Sequence, residues 1–440
     1  MGKNGRSNKS CGKITRDSFG QTGPPKNTKK VETRSKPKPN LNTAVSVNFS
    51  DELNSSISLQ QELLNIFKTA LGSTLAVDCL QKKLQDVKEA LYERDFDRAF
   101  GTQQNLEIYA IRWSPSRALC YHTILADIRP YLIDILPYFN LERFDINHMT
   151  NDSHQSQGKV VCFGGCAAEA VAFYSIFRYV KGDAYQQKRD YYITNSLDDQ
   201  PKLVSNDSTL EVCLVDCAHW QNIVHKLSDT MIKLASTSMD DEGIVSQSCQ
   251  TSLKPLDIRT IFFQEDILTM SLSKMMNIVG QDSILVTLLF TLNELYASST
   301  SMTTKFLLNL TATLKPGSIL LVVDSPGSYS ETRIGSGTKK YPISWLLDYC
   351  LLSGSSKISE DTSPKWTKLL REESKWFRVP EALDYPIPLE NMRYQMHLYR
   401  LGKNQQLSIN GTKVVKLSGP ENPYHLWISR NYLTMYSGHT

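Results

Sequence analysis

A pair of adjacent glycines follows an apolar run near the middle of the chain. The segment 161–170 reads VCFGGCAAEA, in which Gly164 and Gly165 separate a predicted strand from an amphipathic helix with Glu169 in its first turn. Glycine allows a tight turn and a close approach of the backbone to a ligand. The loop is therefore a candidate binding site, although a plain turn followed by a favourable first-turn carboxylate would have the same sequence.

The residue types of this loop favour a cationic ligand over a phosphate. A dinucleotide-binding loop spaces its glycines as G-x-G-x-x-G, and here only the adjacent pair is present. Glu169 also occupies the helix N-terminus, where a pyrophosphate would otherwise bind. S-Adenosylmethionine carries an ammonium and a sulfonium group and no phosphate, so the loop fits this cofactor better than NAD or ATP.

Two acidic residues follow the next two apolar runs. Asp216 ends the run EVCLVD, where a carboxylate can accept hydrogen bonds from a ribose diol. Asp266 follows IRTIFFQE, where an acidic side chain can meet an adenine amino group. A glycine loop, an acid after the second strand and an acid after the third form the order expected of a class I methyltransferase.

The elements that must position these residues alternate between strands and helices. The predicted strands are 159–163, 211–215, 259–264, 283–290, 318–323 and 393–400, and the predicted helices are 167–180, 218–235, 302–314 and 342–352. Strands that are apolar on both faces and separated by helices predict an α/β fold, with a mostly parallel sheet covered on both sides. The polar segments 181–210 and 236–254 are predicted to be surface loops.

The chain before the sheet has a different pattern. Apolar residues at three- and four-residue spacing predict helices over 59–71, 75–96 and 114–136, with Ser114 as the N-cap of the third. We divide the chain into four parts: a basic tail (1–50), a helical region with a polar linker (51–150), the α/β domain (151–402) and a C-terminal extension (403–440).

Charge is distributed unevenly along the 440 residues. Residues 1–40 contain eleven Lys or Arg and two acids, so this tail carries +9 while the whole chain carries only +4. With almost no apolar residues the tail is predicted to be disordered. It would attach to nucleic acid, act as a nuclear address, or simply keep the protein soluble.

Composition excludes several classes of protein. The chain has no apolar run of about 20 residues such as a membrane helix needs, and its polar N-terminus lacks a signal-peptide core. Nine scattered cysteines suit a reducing compartment better than a disulfide framework. We therefore expect a soluble intracellular protein, without a membrane partner and without a metal.

Four segments together resemble a known family. YAIRWSPSRALCY, VCFGGCAAEAVAF, LVTLLFTLNELY and ENMRYQMHLYRL are similar to fungal S-adenosylmethionine-dependent methyltransferases that modify N3 of a uridine in large-subunit ribosomal RNA. The similarity extends from Phe96 to Gly402. It implies a class I (Rossmann-like) fold with a seven-stranded sheet, S-adenosylmethionine as cofactor, and ribosomal RNA or a pre-ribosomal particle as partner. We also expect a monomer that resides in the nucleus or nucleolus, or in the cytoplasm.

The chain departs from the family in its glycine loop. Cys162 stands where class I enzymes usually have an acid, and Cys166 and Ala168 stand where relatives tend to have glycine. We therefore expect Glu169 to contact the methionyl ammonium. A fold that has lost the cofactor is the alternative.

The resemblance also suggests where the acceptor base binds. Uridine N3 must lose its proton before it attacks, so Glu294 in FTLNELY is the candidate proton acceptor, Asn293 the partner of a uracil carbonyl, and Tyr296 the stacking ring. The alternative is a helix cap, a first-turn charge and a packed side chain. Arg112, Trp113 and Arg117 are candidate contacts to phosphate and base, or else structural.

Other functions remain compatible with these residues. The chain would methylate another RNA or a protein, or would act as a non-catalytic ribosome-assembly factor on the same fold. Four cysteines near two strand ends could suggest zinc, but their spacing is not that of a ribbon or finger, and Cys162 and Cys213 lie inside predicted strands. A metal site is therefore not expected.

Overall fold

The structure is a computed structural model, and it describes residues 57–136, 139, 157–194, 209–237, 258–327, 329–334, 337–352 and 365–402. The basic tail, nearly all of the predicted linker and the C-terminal extension lie outside these residues. Within the described ranges, no helix has both the length and the apolar character needed to cross a membrane.

The chain is helical before the sheet, as predicted. The helices are α1 (Ile57–Ala70), α2 (Gly72–Leu75), α3 (Leu80–Glu93), α4 (Phe96–Phe100), α5 (Gln103–Arg112), α6 (Ser114–Asp127) and α7 (Arg129–Leu132). The single helices predicted over 75–96 and 114–136 are wrong: α3 is bounded by Cys79 and Arg94, both with positive φ, and Ile128 separates α6 from α7. Ser114 is not an N-cap either: Trp113 holds that position and Ser114 is the first helical residue.

The α/β part is built on one seven-stranded sheet. Its strands are β1 (Gln157–Phe163), β2 (Thr209–Asp216), β3 (Ile258–Gln264), β4 (Leu285–Leu289), β5 (Ile319–Asp324), β8 (Trp366–Phe377) and β9 (Met392–Leu401). A separate hairpin consists of β6 (Tyr329–Ile334) and β7 (Gly337–Pro342). The sheet order is β3-β2-β1-β4-β5-β9-β8, with β1 to β5 parallel and β9 antiparallel to both of its neighbours.

Helices cover both faces of the sheet, which confirms the predicted architecture. They are α8 (Ala167–Thr194), α9 (Gln221–Thr237), α10 (Leu272–Val279), α11 (Leu292–Ser298), α12 (Thr300–Thr313) and α13 (Ile343–Leu352). Alternate residues of a strand face opposite sides, so Val160 and Cys162 of β1 join the core beneath α8 and the N-terminal helices. Val161 and Phe163 join the core beneath α10, α12 and α13. The first core contains side chains from both the helical region and the sheet.

The strand order fixes where a ligand can bind. β2 and β3 lie on one side of β1, and β4 and β5 lie on the other. Ligands of open α/β sheets bind at the carboxyl ends of the strands where the order reverses in this way. The expected site is therefore the edge at which β1 and β4 end.

Some elements differ from the sequence prediction. All six predicted strands are present, but the segment 181–210 is not entirely a loop, because α8 continues to Thr194. The hairpin β6–β7 and strand β8 were not predicted. The sequence of β8, WTKLLREESKWF, is rich in charge because the strand lies at the edge of the sheet with most of its side chains partly or fully exposed.

Arg112 fastens α5 to the connection between β8 and β9. Its guanidinium donates to the carbonyl of Pro388 at 3.1 Å and pairs with the carboxylate of Glu390. Tyr385 Oη, from the same connection, donates to the carbonyl of Ile111 at 3.1 Å. These contacts hold the helical region against the sheet, so the candidate role of Arg112 in contacting RNA is not supported.

The substitution Arg112→Met should lower the free energy of unfolding by about 1–2 kcal/mol, because a charged donor to the Pro388 carbonyl and the Glu390 carboxylate is lost. Chemical denaturation would measure this change. Arg98→Met is the matched control, since it removes only exposed ion pairs with Glu93 and Glu89 and should cost under about 1 kcal/mol. Equal effects of the two substitutions would contradict the structural role of Arg112.

Candidate functional site

A cavity of about 440 Å³ lies at the expected edge of the sheet. One wall comes from the residues that follow the strands, namely Gly164, Cys166, Ala168, Glu169, Asp216, Cys217, Asp266, Leu289, Phe290, Thr291 and Glu294. The opposite wall comes from the N-terminal helices and includes Leu91, Phe96, Phe100, Tyr109, Trp113, Ser114 and Arg117. The volume is in the range of small-molecule and cofactor sites.

The two glycines of the loop have different roles. Gly164 has φ +72°, and a Cβ there would lie 2.3 Å from Cγ2 of Thr291. Its N–H donates to the carbonyl of Val215, at the end of β2, at 2.7 Å. Gly165 is buried and does not line the cavity, and a Cβ there would lie 2.4 Å from Cβ of Cys162. Gly164 therefore shapes the wall, whereas Gly165 permits packing against β1 rather than the close ligand approach that the sequence suggested.

Glu169 lies beneath the loop as an almost fully buried carboxylate, with 3% of its surface exposed. Its Oε2 accepts the backbone N–H of Cys166 at 2.9 Å, which satisfies a donor at the start of α8. Burial raises the pKa of Glu169 to about 7, although this hydrogen bond and the nearby Arg117 oppose the shift. The ionised form thus lacks a full counter-charge, and a cation in the cavity would stabilise it.

Asp216 ends β2 and keeps one oxygen available. Its Oδ1 accepts the N–H of Ala218 at 2.8 Å and Nε1 of Trp220 at 3.2 Å. Its Oδ2 has no hydrogen bond to any residue that the structure describes. Burial raises the pKa of Asp216 to about 6. The carboxylate is therefore held in place by its own loop while Oδ2 can accept from a ligand.

Asp266 lines the cavity but is engaged in its own turn. Its Oδ1 accepts the N–H of Leu268 at 3.0 Å, and its Oδ2 accepts the hydroxyl of Thr269 at 2.8 Å. The side chain is exposed, so each oxygen can still accept a second hydrogen bond.

Arg117 is the only cation among the described cavity-lining residues. Its guanidinium lies 5.5 Å from the ring centroid of Tyr109 and 5.4 Å from that of Phe290, and Nη1 donates to Oη of Tyr109. Two aromatic faces thus hold the charge by cation–π attraction. These contacts hold Arg117 in the cavity wall, so its candidate role in contacting an RNA phosphate is not supported.

The loop after β4 brings a strained backbone and a carboxylate to the cavity. Phe290 has φ +57°, a left-handed conformation that is unusual for an aromatic residue, and its N–H donates to the carbonyl of Val323 at 2.7 Å. Glu294 follows in the first turn of α11. Its Oε2 is buried, accepts no hydrogen bond from the described residues, and lies 3.6 Å from Nη1 of Arg94.

Two residues of this loop do not point where the sequence suggested. Asn293 is outside the cavity lining, and its Nδ2 donates to Oδ1 of Asp324 at 2.6 Å while its backbone N–H donates to Oδ2 at 2.9 Å. Tyr296 is 2% exposed and packs in the second core, with Oη 3.8 Å from Sγ of Cys350. The predicted hydrogen bond from Asn293 to uracil is not supported, and stacking of a base on Tyr296 is wrong because the ring is inside the protein.

The sequence did not single out several residues that line the cavity. Tyr109, Trp220, Phe290 and Thr291 all line it. Phe290 and Thr291 belong to the quoted segment FTLNELY, and Tyr109 begins YAIRWSPSRALCY, so their neighbourhood was visible in the sequence. The left-handed backbone of Phe290 had no sequence signal, since neither glycine nor asparagine occupies the position.

The arrangement suits a ligand with cationic and nucleoside-like parts. Four carboxylates line the cavity, from Glu169, Asp216, Asp266 and Glu294, against the single guanidinium of Arg117.

Comparison with known proteins agrees with a ligand of this kind. The family model described as "Putative SAM-dependent methyltransferase" matches residues 67–400, about three quarters of the chain. The chain belongs to this family. Its cofactor is therefore S-adenosylmethionine, as the loop chemistry predicted.

A curated relative is more specific. The 25S rRNA (uridine(2843)-N(3))-methyltransferase of Saccharomyces cerevisiae is 34% identical to this methyltransferase over 353 residues, which cover 77% of this chain and 85% of the relative. The resemblance noted in the sequence is thereby confirmed.

Solved structures are more distant. An O-methyltransferase family protein from Burkholderia thailandensis is 11% identical, with 74% of this chain and 71% of that chain covered and a TM-score of 0.29. The N-methyltransferase NodS from Bradyrhizobium japonicum WM9 is 10% identical, with 62% and 98% covered and a TM-score of 0.26. At these TM-scores the likeness adds nothing to the strand order already described.

Gly164→Ala should destabilise the methyltransferase by more than the ~1–2 kcal/mol that a left-handed backbone costs an L-residue, because the new Cβ would also meet Thr291. The double variant Gly164→Ala/Thr291→Ala should recover only part of the steric cost, because it removes Cγ2 and Oγ1 while the Cβ at position 291, 2.9 Å from the new Cβ, remains. It should retain the whole backbone cost. Denaturation of both variants and of Thr291→Ala alone would measure the coupling. Strictly additive effects would show that Thr291 does not limit the loop.

Proposed function

We propose that this methyltransferase modifies N3 of a uridine in large-subunit ribosomal RNA. The observation that carries the proposal is Glu294, a carboxylate at the cavity whose Oε2 accepts no hydrogen bond from the described residues. Methylation at N3 requires a group that accepts the N3 proton. The name of the yeast relative, a ribosomal RNA uridine-N3 methyltransferase, supports the same substrate.

The chemistry would use residues of both cavity walls. When bound, S-adenosylmethionine supplies an electrophilic methyl group that a nucleophile displaces in line, so that orientation contributes strongly to the rate. Glu294 would accept the proton from N3 as the N3–carbon bond forms, and Arg94, 3.6 Å away, supplies the counter-charge. Trp113 lines the cavity and offers an aromatic ring to an unstacked base, in place of Tyr296.

Asn293 would act as a positioning residue rather than as a substrate contact. Asp324 is 3% exposed and accepts both the backbone and the side-chain amide of Asn293. Burial raises the pKa of Asp324 to about 6, and the hydrogen bonds from Asn293 and Ser325 oppose this shift. These bonds fix the start of α11, and with it the direction of the neighbouring Glu294.

The cavity fits the cofactor by charge and by open acceptors. Glu169 would hold the methionyl ammonium, because the ionised carboxylate needs a cation where it is buried. Arg117 would hold the methionyl carboxylate as the one cation among the described lining residues, and Asp216 Oδ2 would accept from the ribose. Asp266 would face the adenine. Gly164, through its left-handed turn, leaves the space between these groups.

Paired ligands can test the assignment of the amino-acid end. Glu169→Gln and Arg117→Met should each weaken the binding of S-adenosylhomocysteine by about tenfold or more, because each removes a charged contact. Neither should change the affinity for 5′-methylthioadenosine, which lacks the amino and carboxyl groups. Asp216→Asn should weaken both ligands. Isothermal titration calorimetry would supply the affinities, and an equal loss for both ligands in Glu169→Gln would refute the ammonium assignment.

The same assignment predicts a proton release. An ammonium beside Glu169 would lower its pKa from about 7, so the protein should lose a fraction of a proton on binding S-adenosylhomocysteine at about pH 6.5. The affinity should accordingly rise between about pH 5.5 and 7.5. Titrations in buffers of different ionisation enthalpy would measure the release, which should be smaller in Glu169→Gln. Proton uptake on binding would contradict the assignment.

The substrate can be tested in a yeast strain that lacks the relative. Expression of this chain should restore 3-methyluridine in 25S ribosomal RNA, measured by nucleoside mass spectrometry. Glu294→Gln should restore little or none, with a loss of about 10²-fold or more that is typical of a missing proton acceptor. Its affinity for S-adenosylhomocysteine should remain, since Glu294 is not assigned to the cofactor.

Control variants separate the possible outcomes of this experiment. Glu93→Gln is the matched control, because it neutralises an exposed acid paired with Arg98 and should restore 3-methyluridine fully. Restoration by Glu294→Gln would exclude that residue as the proton acceptor. Failure of the wild-type chain, with normal cofactor binding, would favour another RNA or a protein as substrate. If the wild-type chain neither restores 3-methyluridine nor binds the cofactor, a non-catalytic assembly factor would be favoured.

We also propose that the protein acts on ribosomal RNA or a pre-ribosomal particle in the nucleus or nucleolus, as a monomer. The +9 charge of residues 1–40 supports attachment to RNA or nuclear import.

A further inference from the structure

The charge of the cavity requires that an RNA backbone be held elsewhere. Glu169, Asp216, Asp266 and Glu294 give the cavity a negative lining, which attracts a cationic cofactor and repels phosphate. The two arginines first considered for phosphate contact are engaged, Arg112 with Glu390 and Arg117 within its aromatic pair. An RNA substrate therefore needs a different surface near the cavity.

An exposed tryptophan with two arginines near its ring lies on the edge strand β8. Trp376 is 49% exposed. The guanidinium of Arg378 lies 4.2 Å from its ring centroid, and that of Arg393 lies 6.0 Å from it. We call these three residues the Trp376 cluster. An indole with cations beside it is the combination that proteins use to bind single-stranded nucleic acid, by stacking and by phosphate contact.

The two guanidiniums of the Trp376 cluster are not neutralised. Neither Arg378 nor Arg393 lies within 4.0 Å of a carboxylate of the described residues, whereas Arg371 on the same strand pairs with Glu373. Arg393 makes one side-chain hydrogen bond, from Nε to Oγ of Ser374 at 2.8 Å. This bond orients the arginine without cancelling its charge.

Strand register places the cluster at the same end of the sheet as the cavity, where the parallel strands have their carboxyl ends. Asp324, at the carboxyl end of β5, pairs with Gln395 of β9, and Arg393 lies two residues further toward the start of β9. Trp376 pairs with Arg393, so these side chains share one face. Three strand spacings separate β8 from β4, which is about 14–15 Å. Because Trp376 and Lys375 point to opposite faces of β8 and Lys375 contacts α6, an RNA that reaches both the cluster and the cavity passes across these strand ends.

We propose that the Trp376 cluster binds the substrate RNA, with Trp376 stacking on a base and Arg378 and Arg393 contacting phosphates. The inference rests on the proposed function, because it takes RNA as the substrate. The opposite face of β8 is already occupied, since Lys375 pairs with Asp127 of α6 at 2.6 Å. The cluster faces away from that contact and remains accessible.

Salt-dependent binding can separate the two kinds of contact. The full-length protein would be titrated against a fluorescein-labelled 20-nucleotide oligouridine RNA, and binding would be followed by fluorescence anisotropy at several salt concentrations. Arg378→Gln/Arg393→Gln should weaken binding by on the order of tenfold and reduce the slope of log affinity against log salt by about 1.4, at roughly 0.7 for each phosphate contact. Trp376→Ala should weaken binding about fivefold or more and leave the slope unchanged.

Arg98→Gln/Arg371→Gln is the control matched in charge. Both of these arginines are paired with glutamates, so the control should keep the wild-type affinity and salt slope. All variants should bind S-adenosylhomocysteine as the wild type does, which shows that they are folded. An equal change in the control and in the Arg378/Arg393 variant would reduce the effect to net charge and overturn the proposal.

Crosslinking locates the contact independently of the basic tail. The same RNA with 4-thiouridine should crosslink to residues around 374–393, and Trp376→Ala should lose that crosslink. Crosslinks confined to other parts of the chain would overturn the proposal and leave the Trp376 cluster to a protein partner. The yeast test of the methylated base distinguishes failure of this inference from failure of the proposed function. If the Trp376 cluster variants restore 3-methyluridine to the wild-type level, only the RNA-binding role of the cluster is refuted. If the wild-type chain restores none but its crosslink depends on the cluster, only the uridine assignment is refuted.

Discussion

The site depends on one close approach, that of Thr291 to Gly164. Only a residue without a side chain and with a left-handed backbone allows it, since a Cβ at Gly164 would lie 2.3 Å from Thr291. The same glycine donates to the end of β2 through Val215. The ends of β1, β2 and β4 are therefore joined into one surface. The residues after β1, β2 and β4 that line the cavity share that surface, which keeps the distances between them fixed.

Burial and charge then give the cavity its selectivity. Glu169 and Asp216 are carboxylates whose pKa is raised by burial, and each is held by hydrogen bonds from its own loop. The protein thus maintains acidic groups that are unstable as bare anions. A ligand with a cationic end stabilises the ionised carboxylates, whereas a phosphate would destabilise them further. The preference for S-adenosylmethionine over nucleotides follows from the lining rather than from any one contact.

The sequence predicted the interior of the sheet better than its edges. β1, β2, β4 and β5 are short apolar runs between helices, and such runs have few alternatives to a buried parallel strand. β8 was missed because an edge strand with exposed side chains has no such pattern. Gly164, Glu169, Asp216 and Asp266 were placed correctly in the cavity, because their positions follow from strand ends. The directions of the Asn293 and Tyr296 side chains were predicted wrongly. Asn293 is hydrogen-bonded to Asp324, and Tyr296 is buried in the second core. Neither partner is adjacent in the sequence.

The ion pair between Arg94 and Glu294 joins parts of the chain that the sequence had assigned to different domains. Arg94 caps α3 in a left-handed conformation, and Glu294 follows β4. The helices α3 to α6 also supply a whole wall of the cavity, including Arg117. In many enzymes the catalytic domain is a module that evolution can fuse to new recognition domains. Here the helical region is part of the cavity itself, so replacing it would remove one wall, the guanidinium of Arg117 and the ion-pair partner of Glu294 together.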